Sequence, residues 1–108
     1  FVLYSGDDGL TLPVLSIGGN GVVSVASHVL GNEMQAMIRA FESGEYANAA
    51  KQHQTLLPIM KGLFSAPSPS PVKTALQLKG LDVGGVRLPL VPLNEVERNT
   101  LAALLRTI

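Results

Sequence analysis

Phe1-Val2-Leu3-Tyr4-Ser5-Gly6-Asp7-Asp8-Gly9 and, a few residues on, Gly18-Gly19-Asn20-Gly21-Val22-Val23-Ser24-Val25-Ala26 are the stretches on which the fold turns. Phe1 to Tyr4 is an apolar, β-favouring run that breaks off at a turn cluster, which reads as a buried strand. Leu10 to Ile17 suits a short helix, with Asp7 or Asp8 as its cap and Pro13 tolerable only in the first turn. Gly18 to Gly21 ends that helix, and Val22 to Ala26 is a second, mostly apolar β-branched run. Strand, helix and parallel strand make one βαβ unit. A run that opens without a methionine and looks like the inside of a sheet is expected to start within a buried strand of something larger.

Beyond this unit the pattern is helical. Met34, Met37, Ile38 and Phe41 recur at i, i+3, i+4 and i+7, one face of a helix ending at Gly44. A second helix runs from about Glu45 to Phe64, with Pro58 expected to kink it. Ser65 to Pro71 reads as an ordered loop, with Ser70 as N-cap and Pro71 opening a third helix that stops near Gly80. Gly84 to Pro92 alternates glycine, proline and apolar residues, so it is expected to lie extended against something apolar. Asn94 with Glu97 three residues on resembles a capping box, and Leu101, Leu104, Leu105 and Ile108 stripe the last helix. No internal repeat of fixed period is present.

Composition narrows the possible functions. With 108 residues there is room for one small domain, against roughly 250 for a complete eight-unit barrel. Charged residues are 15% and apolar residues 46%, where an average soluble domain has about 25% charged, so much of the surface is expected to be covered. Eight basic and eight acidic side chains cancel, which gives the phosphates of nucleic acid or an anionic membrane nothing to bind. No apolar run approaches the roughly 18 residues of a membrane span. The absence of cysteine removes disulfides and thiolate metal sites. The reading is of a soluble, cytoplasmic protein.

Few residues are candidates for chemistry. Gly18 to Gly21 follows a helix and opens a strand, the reverse of a phosphate cradle. Asp7 and Asp8 stand at the C-terminal end of a strand, where barrel enzymes keep their active sites, although capping accounts for at least one of them. His28 follows the second strand at the same mouth and His53 lies in a helix. Neither has an adjacent carboxylate or cysteine, so neither is given a role. Lys73, in the first turn of a helix, lacks the desolvated surroundings that lower an amine pKa for carbonyl chemistry. Met34, Met37 and Met60 are core packing. The residues alone therefore lead to two strands of a parallel barrel with a helical tail.

The order of particular residues leads further. Leu3-Tyr4-Ser5-Gly6-Asp7-Asp8, then Gly18-Gly19-Asn20-Gly21-Val22-Val23-Ser24-Val25-Ala26-Ser27, then Pro69-Ser70-Pro71-Val72-Lys73, then Gly85-Val86-Arg87-Leu88-Pro89-Leu90-Val91-Pro92-Leu93 closely resemble the 4-hydroxy-tetrahydrodipicolinate synthase (dihydrodipicolinate synthase) family. The resemblance covers the whole chain, with departures at Ser68, where the family usually has asparagine, and at Ser70, where it has isoleucine or a similar residue. It implies a class I aldolase-type lyase of lysine and diaminopimelate biosynthesis, in which pyruvate forms a Schiff base with a lysine and condenses with aspartate 4-semialdehyde. It also implies a (β/α)8 TIM barrel followed by a C-terminal helical domain. Residues 1–43 would then be the end of the barrel, strands seven and eight with their helices, and residues 44–108 the helical domain.

In that family the Schiff-base lysine sits on the sixth strand and the tyrosines of its proton relay on earlier ones. Tyr4 and Tyr46 do not match them, so no catalytic residue is expected within this chain. Two pyruvate-binding positions do carry over. Val23 matches the eighth-strand residue whose main-chain carbonyl faces lysine and pyruvate, against the plainer reading of barrel packing. Gly6 matches a glycine at the pocket mouth, where a missing side chain lets backbone approach a ligand. The resemblance implies no cofactor and no metal, and a homo-oligomer, usually a dimer of dimers. Two alternatives stand beside it: an N-acetylneuraminate lyase-like or keto-acid aldolase relative, disfavoured by Arg87 to Leu93, and a non-catalytic helical interaction module, disfavoured by Phe1 to Tyr4.

Overall fold

The computed structural model describes residues 1–108 as two compact units, residues Phe1–Leu57 and Pro58–Ile108. The first unit opens with a parallel pair, β1 (Tyr4–Ser5) and β2 (Gly21–Val22), in the register Tyr4 to Gly21 and Ser5 to Val22. Between them run a 3-10 turn at Asp8–Leu10 and helix α1 (Thr11–Ser16). The expected strand, helix and parallel strand are all present, with Pro13 in the first turn of α1. The strands are shorter than the apolar runs suggested. Phe1 and Val2 stand exposed ahead of β1, and Asn20 extends the ladder by one step, its N–H donating to Leu3 O at 2.7 Å while its side-chain oxygen accepts from Leu3 N at 3.2 Å.

Helix α2 (Ser27–Glu42) follows, two helical pieces joined at a kink where Leu30 leaves the helical region. Its expected stripe holds: Met34 and Met37 are buried, Ile38 and Phe41 half-buried, with Leu30 and Ala40 deep alongside them. α1 packs on both strands and on α2, so Leu15 and Thr11 are buried too. Full burial of side chains such as Leu30 and Met37 stabilises by about 1.5–3 kcal/mol each.

Three helices end by the same device. After α1 the N–H of Gly18 donates to Leu15 O and that of Gly19 to Val14 O, a 5→2 and a 6→1 bond, with Gly18 at φ +96°. Gly44 and Gly80 repeat the pattern after α2 and after α4 (Ser70–Leu78) at φ +82° and +97°. Each is a Schellman cap, which needs a left-handed residue that only glycine adopts cheaply.

Helix α3 (Tyr46–Gly62) runs continuously through Pro58, and the boundary of the two units falls inside it. In the second unit α4 packs against α5 (Glu95–Leu105), with Val72, Ala75 and Leu101 buried. The capping box of α5 is complete, Glu97 N donating to Asn94 Oδ1 at 2.8 Å and Asn94 N to Glu97 Oε1 at 2.9 Å. Ser70 departs from expectation. Pro69 holds the cap position of α4, and the Ser70 hydroxyl, already inside the helix, donates to Val91 O at 2.8 Å instead. That bond ties the irregular segment of residues 84–92 to α4. Val86 and Leu90 are half-buried there, while Leu88 (84%) and Val91 stay exposed, so apolar cover is only partial. The Ser68–Pro69 and Leu88–Pro89 peptide bonds are cis. No helix is long and apolar enough to cross a membrane.

Candidate functional site

Both positions singled out for a ligand lie where the parallel strands end. β1 leads from Ser5 into Gly6, and the Ser5 hydroxyl brackets that glycine, accepting from Asp7 N at 3.1 Å and donating to Asp7 O at 2.7 Å. A Cβ added to Gly6 would meet nothing within 4 Å. Glycine is therefore not demanded there by packing among residues 1–108. Val23 follows β2 directly and its N–H donates to Ser5 O at 2.9 Å, so the hydrogen-bonded ladder brings the two positions to the same edge. Val23 is held through its main chain by this bond.

The adjacent carboxylates of the turn have separate duties. Asp7 caps the 3-10 turn, its Oδ1 accepting from Gly9 N at 2.9 Å; α1 itself follows Leu10 with no side-chain cap, so neither aspartate supplies the cap expected for it. Asp8 is buried and points across to the other strand end, where Oδ1 accepts from the Ser24 hydroxyl and Oδ2 from Val25 N at 3.2 Å and Ala26 N at 2.9 Å. The N–H groups of Val25 and Ala26 are thus taken by Asp8 and not left for a neighbouring strand. A buried carboxylate is tolerable only with such donors, and the start of a helix supplies them with a favourable dipole.

The other candidates lie elsewhere. His28 is exposed in the first turn of α2. His53 is half-buried in α3 with Nδ1 buried and unpartnered. Lys73 donates to Gly85 O at 2.8 Å, a structural tie between α4 and the segment after it. Tyr46 packs its ring on Phe41 at 5.1 Å. A cavity of about 350 Å³ opens in the second unit beside Lys73, Gln77, Asp82 and Arg98, but none of the residues expected to meet a ligand lines it. No group of three or more histidine, aspartate or glutamate side chains is placed to hold a metal ion.

The sequence pointed to Gly6 and Val23, and to Asp8 as a carboxylate at the strand end, but not to Ser5 and Ser24 or to the bonds by which Asp8 reaches the second strand. The available signal was position: short polar side chains flanking both strand ends, able to bond backbone two or three residues away. The bonds from Asp8 to residues 24–26 cross half of a βαβ unit and leave no local trace.

A sequence profile described as the dihydrodipicolinate synthetase family matches residues 1–108. A 4-hydroxy-tetrahydrodipicolinate synthase from Bacillus velezensis is 67% identical over 105 residues, which cover 97% of this chain and 36% of that protein. The crystal structure of a dihydrodipicolinate synthase from Bacillus anthracis superposes with a TM-score of 0.97 at 62% identity, over 100% of this chain and 37% of that one. A solved monomeric dihydrodipicolinate synthase variant gives a TM-score of 0.95 at 38% identity, over 99% and 36% of the two chains. The chain thus spans about 36% of the length of the curated relatives it matches.

Proposed function

Because the chain belongs to the dihydrodipicolinate synthetase family, we propose that it forms the seventh and eighth strands and the C-terminal helical domain of a lyase that condenses pyruvate with aspartate 4-semialdehyde. Residues 1–43 close the barrel and residues 44–108 make the helical domain. The nucleophile is a lysine on a strand outside these residues. Its unprotonated amine adds to the pyruvate ketone and water leaves, giving a Schiff base. Loss of a proton from the former methyl group makes that carbon the nucleophile toward the aldehyde; the amine of the condensed aspartate semialdehyde then attacks the Schiff-base carbon, closing the ring and expelling the lysine amine. This chain contributes backbone to the pocket: the Val23 carbonyl faces the lysine and bound pyruvate, and Gly6 leaves room at the mouth.

The observation that carries the reading is the bond from Val23 N to Ser5 O at 2.9 Å. It sets Gly6 and Val23 side by side at the C-terminal ends of parallel strands, the edge at which barrel enzymes bind substrate. The names of the relatives favour aspartate 4-semialdehyde as the aldehyde over the substrates of the N-acetylneuraminate lyase-like alternative. A cytoplasmic location and a homo-oligomer, a dimer of dimers, belong to the same proposal, and the charged fraction of 15% is compatible with covered faces.

The test is turnover by the full-length protein. Pyruvate should be consumed when aspartate 4-semialdehyde is added, and N-acetylneuraminate should not be cleaved. Cleavage of N-acetylneuraminate without condensation would overturn the assignment.

A further inference from the structure

We infer that Asp8 is a positioning residue for the pyruvate pocket, acting through Ser24 to fix the peptide group that carries the Val23 carbonyl. The inference rests on the functional reading above and adds to it the residue that holds the backbone contact in place. Asp8 is only 3% exposed, and its three donors come from the three residues that directly follow Val23: the Ser24 hydroxyl, Val25 N at 3.2 Å and Ala26 N at 2.9 Å. On the other side, Val23 N is bound to Ser5 O at 2.9 Å. The peptide group between Val23 and Ser24 is therefore held from both ends.

Each anchor is itself secured. The main-chain oxygen of Asp8 accepts from the buried Thr11 hydroxyl at 2.7 Å, and the Ser24 hydroxyl, while donating to Asp8, accepts from Ser27 N at 2.9 Å. A carbonyl at an open strand end, with free rotation ahead of it, would sample many directions. Bonding the following side chain and the next two N–H groups to a single buried carboxylate removes that freedom, which is how a backbone acceptor becomes pre-organised for a transition state. If Asp8 only capped α2, its bonds to Val25 and Ala26 would be sufficient; the bond to Ser24 reaches back to the residue beside the pocket.

The experiment uses the full-length protein and compares wild type with Ser24→Ala, Ser24→Thr and Asp8→Asn. Steady-state turnover is measured well below the unfolding temperature, with thermal unfolding and oligomer size recorded for each. Ser24→Ala should lower kcat by about tenfold or more with little change in KM for pyruvate, and Ser24→Thr, which keeps the hydroxyl, should restore most of the loss. Asp8→Asn should lower kcat similarly, and Ser24→Ala decides the matter even if Asp8→Asn does not fold. Wild-type kcat in folded Ser24→Ala, or a lowered unfolding midpoint with unchanged kcat, would make the cluster a plain helix cap and overturn the inference while leaving the proposed function standing. A wild-type protein with no condensation activity would overturn both.

Discussion

Replacing Gly19 by alanine should be among the most disruptive single-methyl changes in the first unit. An ideal Cβ at this position would collide with Val14 Cγ1 and lie 2.7 Å from Val14 O and 3.0 Å from Val14 C. The side-chain methyl can rotate away, but the backbone carbonyl cannot, because it accepts from Gly19 N at 2.8 Å in the cap of α1. Relief therefore requires the helix end and the start of β2 to separate. Loss of that bond costs about 0.5–1.5 kcal/mol and the forced backbone shift about 1–3 kcal/mol, together about 1.5–4.5 kcal/mol. At roughly 2 °C per kcal/mol, the lower end of the range for large domains, the unfolding midpoint of the full-length protein should fall by about 3–9 °C in differential scanning calorimetry. Gly6→Ala is the internal control, since its Cβ meets nothing within 4 Å. A Gly19→Ala midpoint indistinguishable from that of Gly6→Ala would refute the close-approach reasoning.

The remaining expectations follow from the same geometry. Gly6→Ala should leave stability within about 0.5 kcal/mol yet reduce turnover, by steady-state assay, if bare backbone at the pocket mouth is what substrate needs; full activity would remove Gly6 from the site. Val23→Ile keeps a β-branched residue and leaves the main chain unchanged, so turnover should change by less than about tenfold, a barrier difference under about 1.4 kcal/mol. Loss of activity in a folded Val23→Ile protein would make the side chain, not the carbonyl, the working part. Asn94→Ala removes half of a complete capping box and should destabilise by about 1 kcal/mol, read as a lower urea midpoint at constant m. Adding Glu97→Ala should then cost less than it does alone, because the two residues form one unit.

What could be read from the residues was mostly local. Gly18, Gly44 and Gly80 announced their helix ends because a left-handed cap leaves a residue-type signature, and Asn94 with Glu97 announced a capping box three residues apart. The parallel pairing was legible because two apolar β-branched runs flank one short helix. Strand limits were not legible: an apolar run such as residues 22–26 has no mark showing where its N–H groups will be taken by Asp8, a residue 17 and 18 positions from Val25 and Ala26. Ser70 misled for a related reason, since a serine before a proline suits an N-cap until a distant acceptor, Val91 O, claims its hydroxyl. The site was legible at the two positions the resemblance supplied and at Asp8 as a carboxylate at the strand end. The bonds that hold them became visible when the fold closed the loop between them.

The measurement that bears most directly on the central claim is borohydride reduction of the full-length protein in the presence of pyruvate, followed by peptide mapping. One stoichiometric adduct is expected, on a lysine outside residues 1–108, with Lys51, Lys61, Lys73 and Lys79 unmodified. Lys73 has its amine committed to Gly85 O, and all four lie in helices or at helix ends, not at the strand ends where Gly6 and Val23 meet. A specific adduct on any of these four, or none anywhere in the protein, would contradict the account.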